Sequence, residues 1–274
     1  MSGVLETDGG GRNDITAGAA SELAWRHAFD RALPPAMQWG APGRVVVLAP
    51  HPDDEVLGAG GTMRQLVRRG FCVVVLAVTD GESAQPSASA ASRQRLAATR
   101  SRERRAALAS LGLGDVTVVR ARLSDGAVED SEQWLTEIVI DVLSRAHPGR
   151  RRAPPVRTWC VAAWRRDGHP DHEAVGRSGA AASAFAGARF LEYPVWAWQW
   201  LHPDDRRFPW RQLRIEELSG STQRLKQQAI RAFASQIAPF GTAQEPILSA
   251  EMLRRFGRRV EGFLQEEGSN ESRA

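Results

Sequence analysis

His51-Pro-Asp-Asp-Glu55 sets a histidine and three acids into five consecutive residues, directly after the apolar run Arg44-Val-Val-Val-Leu-Ala-Pro50. His51 and Asp54 are three positions apart in a turn, so both side chains can converge on one ion, while Asp53 between them points differently and could hold a water. Capping of the next helix would account for Asp53 or Asp54 alone. It does not account for a histidine with three acids. A second cluster, Asp167-Gly-His-Pro-Asp-His-Glu173, follows another apolar run, Thr158 to Trp164. Three of the six histidines, His51, His169 and His172, fall in these clusters; His27, His147 and His202 read as ordinary core or surface residues. Two histidines and a carboxylate with positions left open form a catalytic Zn2+ arrangement. Iron, cobalt or nickel accept similar ligands, so zinc is the best fit rather than the sole one.

The clusters cooperate only if the fold makes them neighbours. Arg44 to Pro50 is a continuous apolar run of strand length, the signature of a strand buried on both faces. Helical and strand patterns then alternate: helix from about Glu55 to Arg69, strand Phe71 to Val78, helix about Ser92 to Leu111, strand Asp115 to Arg120, helix Ser131 to Ala146, strand Thr158 to Trp164, helix Asp171 to Phe185 and strand Arg189 to Val195. This alternation predicts an α/β fold with a Rossmann-like, doubly wound, mostly parallel sheet and helices on both faces. In such a sheet the first and fourth strands flank the point where strand order reverses, and ligands bind at its carboxyl edge. The remainder reads as an amphipathic helix Glu22 to Leu33, a Trp-rich loop, a strand Arg211 to Ile215, a helix Gln223 to Ser235 and a last helix of about Ser249 to Gln265.

With 42% hydrophobic and 25% charged residues, 274 residues suit one α/β domain with extensions. Residues 1–20 read as a disordered tail, 21–267 as one domain and 268–274 as a polar tail. No apolar run reaches eighteen residues and the start lacks a basic, apolar leader, so the expectation is a cytoplasmic protein without a membrane span. The net charge of +4 comes from arginines interleaved with glutamates, as in Arg100-Ser-Arg-Glu-Arg-Arg105, which marks a solvated face rather than a nucleic-acid site. Cys72 and Cys160 each sit in an apolar run and read as unpaired core cysteines.

His51-Pro-Asp-Asp-Glu55 and His169-Pro-Asp-His172 resemble the paired motifs of the N-acetylglucosaminylphosphatidylinositol de-N-acetylase (PIG-L) family. Supporting matches are Thr79-Asp-Gly-Glu82, Arg100-Ser-Arg-Glu103 with Leu111-Gly112, and Lys226 with Ser235-Gln236, so the resemblance covers roughly residues 44 to 236. It implies His51, Asp54 and His172 as metal ligands and Asp53 as general base. His169 would steady the oxyanion or protonate the leaving amine, and Asp171 would be an orienting carboxylate. Two positions depart from the pattern. Some members carry tyrosine where this chain has Asp167, its only tyrosine being Tyr193, and family members often have histidine where it has Ala234.

The resemblance implies a zinc-dependent hydrolase that removes an N-acetyl or other N-acyl group from a small aminosugar or glycoconjugate. Two other classes fit the residue types: a metal-dependent phosphoesterase on nucleotides or nucleic acid, which would usually need two metals, and a noncatalytic sugar-binding domain. Arg100 is expected either to contact substrate hydroxyls or to pair with Glu103 one helical turn away. The aromatics of Tyr193-Pro-Val-Trp-Ala-Trp-Gln-Trp200 alternate near the expected pocket; core packing is favoured over a sugar-stacking platform.

Overall fold

Four of the helices begin at a serine whose hydroxyl accepts a backbone N–H in the first turn, the local signal that separates them from the strands between. Ser21, Ser89, Ser219 and Ser249 cap α1 (Glu22–Ala32), α3 (Ala90–Ser110), α7 (Gly220–Ile230) and α9 (Ala250–Phe256). In a computed structural model, which describes residues 20–84, 88–145, 157–238 and 246–266, the other helices are α2 (Asp54–Arg68), α4 (Glu132–Ser144), α5 (Pro170–Ala186), α6 (Ala197–Trp200) and α8 (Ala234–Ile237). The expected tails and His147 lie outside the described residues, apart from Ala20.

Seven strands, β1 (Arg44–Ala49), β2 (Cys72–Thr79), β3 (Thr117–Leu123), β4 (Thr158–Ala163), β5 (Arg189–Tyr193), β6 (Leu213–Glu217) and β7 (Val260–Leu264), form one sheet in the order β3-β2-β1-β4-β5-β7-β6. The first five are parallel, with Val45 opposite Val73 on one side and Trp159 on the other. Strand order therefore reverses between β1 and β4, as the alternation predicts. Both faces are covered. Val45, Val47 and Ala49 pack with α2, α3 and α7, while Val46 and Leu48 pack with α4 and α5. No helix among the described residues is long and apolar enough to cross a membrane.

The carboxy-terminal third corrects two expectations. The helix expected from Ser249 to Gln265 ends at Phe256, and Val260–Leu264 is instead β7, antiparallel between β5 and β6. Burial of Phe263 and Leu264 in the sheet overrides the helix-favouring residues around them. The helix expected from Gln223 to Ser235 is split, α7 stopping at Ile230 and α8 beginning at Ala234. Both cysteines are free, Cys160 buried and Cys72 only half-buried.

Helix α2, which carries the first cluster, is fixed from both sides. Gly58 lies on the Tyr193 ring so closely that a Cβ there would sit 2.1 Å from Cδ2, which explains a glycine inside this helix. From the other side the buried Lys226–Glu261 pair reaches the helix backbone: Lys226 donates to Leu57 O at 2.7 Å, and Glu261 accepts from Gly61 N–H and Thr62 N–H. Buried charges of this kind are tolerated when they are paired and further hydrogen-bonded, as these are.

Trp198 belongs to the core. Its ring packs on Trp25 at 4.9 Å, Phe208 at 5.2 Å and Phe29 at 5.8 Å, with the Arg258 guanidinium over it at 4.9 Å. Trp198→Ala should cost about 3–5 kcal/mol, a fall in Tm of roughly 10 °C for a domain of this size. Thermal unfolding checks it; an unchanged Tm with collapsed substrate affinity would make Trp198 a sugar platform instead.

Candidate active site

The turn from β1 into α2 aims the first cluster. Asp54 opens the helix and its Oδ2 accepts the His51 backbone N–H at 2.8 Å. Asp53 stands at the cap position, yet its side chain makes no capping bond, so capping does not explain it. Its carboxylate has no hydrogen-bond partner among the described residues, is only 4% exposed, and lines the cavity. Glu55, the third acid, is turned away and pairs with the buried Arg104 at 3.0 Å.

The turn from β4 into α5 supplies the second cluster. Pro170 takes the first helical turn, where its missing N–H is harmless. His169 caps the helix by accepting Asp171 N–H on Nδ1 at 3.2 Å. In the neutral ring this leaves the proton on Nε2. His172, one turn in, is fully buried and hydrogen-bonded through Nδ1 to Asp167 Oδ2 at 2.8 Å. Asp167 also accepts the backbone N–H groups of Val195, Trp196 and Ala197, which ties His172 to the turn after β5.

Across the β1/β4 switch the two clusters meet. His51 Nδ1, Asp54 Oδ2 and His172 Nε2 lie 3.3, 3.2 and 3.2 Å from one another. Ligands about 2.0–2.1 Å from a tetrahedral ion are separated by about 3.4 Å. The triangle therefore has the size of one face of a zinc tetrahedron, and the donor set fits a divalent cation. The outer nitrogens of both rings are held by carboxylates, His51 Nε2 by Asp171 at 2.9 Å and His172 Nδ1 by Asp167, the usual support of a metal-binding imidazole. His51, His169 and Asp171 form a second possible grouping, but it shares His51, and Asp171 is already engaged by the N–H groups of Gly126 and Val128.

The field at this corner favours positive charge. Burial works to lower both histidines, but Asp125, Asp171 and Asp54 hold His51 well above the ordinary range, and Asp54 and Asp167 carry His172 to about 9. Burial works to raise Asp54, which His172 and His51 nevertheless hold far below the usual carboxylate range. Asp53 goes the other way: burial, and then the charge of Asp54, push it well up. His169 is pushed down to about 3 by burial and by the two neighbouring rings, and stays neutral.

All seven residues singled out from the sequence line this corner or stand directly behind it. His51, Asp53, Asp54, Arg100 and His169 border a cavity of 280 Å³, with His172 and Asp171 behind them. Arg100 does not bond to Glu103. It donates through Nη1 to Gly81 O at 2.7 Å, while its buried Nε and Nη2 have no hydrogen-bond partner among the described residues. Gly81, at φ +68°, leaves the room this approach needs, since a Cβ would lie 2.5 Å from Nη1. Glu103 instead accepts Ser235 N–H and Oγ–H. Tyr193 is wholly buried, donates to Leu48 O at 2.7 Å, and takes no part in the site.

Asp125 carries no site role in the sequence reading, and Trp196 belongs to a segment read there as core rather than as a sugar-stacking platform. Asp125 follows β3 at the same carboxyl edge, borders the cavity, and lies 3.3 Å from His51 Nε2. Its signal was position alone: an acid two residues beyond the end of a parallel strand. The period-two pattern of tryptophans resolves into the single turn α6, which sends Trp196 to the cavity beside the His169 ring, Trp198 to the core, and the Trp200 indole N–H to Asp167 O.

The chain is 31% identical over 144 residues to a diacetylchitobiose deacetylase of Thermococcus kodakarensis, covering 53% of this chain and 50% of that protein. It is 27% identical over 137 residues to a probable N-acetyl-alpha-D-glucosaminyl L-malate deacetylase 2 of Bacillus cereus, covering 49% of this chain and 58% of that one. It thus spans little more than half the length of these relatives. The structure of N,N'-diacetylchitobiose deacetylase from Pyrococcus horikoshii, complexed with its inhibitor MPG, matches at a TM-score of 0.56 and 20% identity over 88% of each chain, a likeness of fold. The profile described as PIG-L: GlcNAc-PI de-N-acetylase matches residues 46–183, half of the chain, and with it both clusters. The chain belongs to the PIG-L family.

Proposed function

We propose that residues 21–267 form one hydrolase domain that removes an N-acetyl or other N-acyl group from an aminosugar-containing substrate, with zinc as its metal. The observation that carries this reading is the ligand-sized triangle of His51, Asp54 and His172 beside an unpartnered carboxylate, Asp53. A cation held there supplies Lewis acidity for activating water and polarising an acyl oxygen. Asp53 accepts the proton of the attacking water, a role suited to a carboxylate that lines the cavity and caps nothing. His169 remains neutral with its proton on Nε2, which fits it to donate a hydrogen bond to the developing oxyanion. Asp53 then returns the proton to the departing amine. Asp171 and Asp167 orient the two ligand histidines, and Arg100 and Asp125 offer charged hydrogen-bonding groups to sugar hydroxyls.

The phosphoesterase reading needs a second metal, and the only other grouping among the described residues shares His51 with the first. The sugar-binding reading leaves the unpartnered Asp53 without a purpose. The test is release of free amine from a panel of N-acylated aminosugars by zinc-loaded protein. Turnover of at least one panel member is expected. A metal-loaded protein inert towards all of them, yet active on phosphate esters, would overturn the proposal.

A further inference from the structure

The residues assigned to chemistry all fall within the family-matched span 46–183. Most of the cavity's other wall does not. Val195 and Trp196 follow β5, Ile247, Leu248 and Met252 surround the start of α9, and only Leu57 of α2 belongs to the matched span. These six side chains supply most of the apolar lining of the cavity that Asp53, Arg100 and Asp125 also border. It is also a fixed wall. Leu57, Val195, Leu248 and Met252 are at most 2% exposed, Leu248 N–H donates to Gln236 O at 3.0 Å, Ser249 Oγ accepts Met252 N–H, and Asp167 accepts Trp196 N–H. Trp196 and Ile247 are the half-buried members that a ligand can reach most fully.

Sugar hydroxyls laid against such a wall would lose water without gaining partners, whereas an alkyl or aryl group gains by burial there. At 280 Å³ the cavity stands at the small end of ligand pockets, with room for about one sugar ring and a compact substituent. We propose that the substrate is an amphipathic aminosugar, its hydroxylated face towards Arg100 and Asp125 and an apolar substituent on the wall of Trp196, Ile247, Leu248 and Met252. This rests on the N-deacylase reading. The apolar group can be an N-acyl chain longer than acetyl or an aglycone, which offer the wall the same chemistry.

The test compares kcat/KM of the zinc-loaded protein for N-acetylglucosamine, N-hexanoylglucosamine, the phenyl glycoside of N-acetylglucosamine, and N,N'-diacetylchitobiose. At least one apolar substrate should exceed N-acetylglucosamine by about tenfold or more. A lead for the hexanoyl amide puts the acyl chain on the wall; a lead for the phenyl glycoside puts the aglycone there. Ile247→Ser and Trp196→Ala should each shrink that ratio by about threefold or more, because part of the buried apolar area is lost. Equal values throughout, or diacetylchitobiose ahead of both apolar substrates, would overturn the inference while leaving the deacylase reading intact. Absence of amine release from all four would overturn both.

Discussion

Asp53→Asn is expected to leave about one metal bound per chain and to lower turnover by about 10²–10⁴, the usual contribution of a general base. The substitution keeps the shape of a side chain that is 4% exposed, caps nothing and accepts no hydrogen bond among the described residues, so it opens no gap and orphans no partner there. What it removes is the capacity to take a proton. The ligand next to it stays where it is, because Asp54 is fixed by the His51 backbone N–H and by the opening turn of α2. Elemental analysis measures the metal, and amine release measures kcat. Near-normal turnover with metal bound would move the base elsewhere. His169 would be the next candidate, although its Nδ1 is occupied by Asp171 N–H, which leaves Nε2–H and suits a donor better than a base.

Much of this arrangement was legible because a parallel sheet leaves few choices. Two apolar runs of strand length that each end in histidine and acid must bring those ends to one edge, and the β1/β4 reversal makes them adjacent. The role of Glu55 was not legible, since its partner Arg104 lies 49 positions away on another helix. Arg100 was left between two expectations for the same reason: Glu103, its neighbour in sequence, is captured by Ser235, 132 positions distant. The segment Val260–Leu264 was misread because its partners in the sheet are remote, and local propensity cannot register a pairing with Leu213–Glu217. Trp196 and Trp198 were treated alike because residues two apart share one face of a strand. One turn of helix gave them different surroundings.

Removing a corner of the His51–Asp54–His172 triangle should lower metal content and activity together. His51→Ala and His172→Ala each delete a ligand nitrogen outright, and each also leaves a supporting carboxylate, Asp171 or Asp167, without its imidazole. Asp54→Asn is milder. It keeps an oxygen for the His51 N–H but removes the charge, so its activity should return in part when excess zinc is supplied. Asp167→Asn separates ligation from support, because of the two nitrogens of the His172 ring it meets only the one turned away from the triangle; loss of an outer partner of this kind costs about 10–100-fold in metal affinity. Each of the three ligand variants should lose more than that. The order can be read without any substrate, from zinc dissociation constants measured against a competing chelator. Retention of one zinc per chain at unchanged affinity in all three ligand variants would dismantle the assignment. A larger loss in Asp167→Asn than in His172→Ala would show instead that Asp167 acts chiefly by holding the turn at Val195, Trp196 and Ala197, whose N–H groups it also binds.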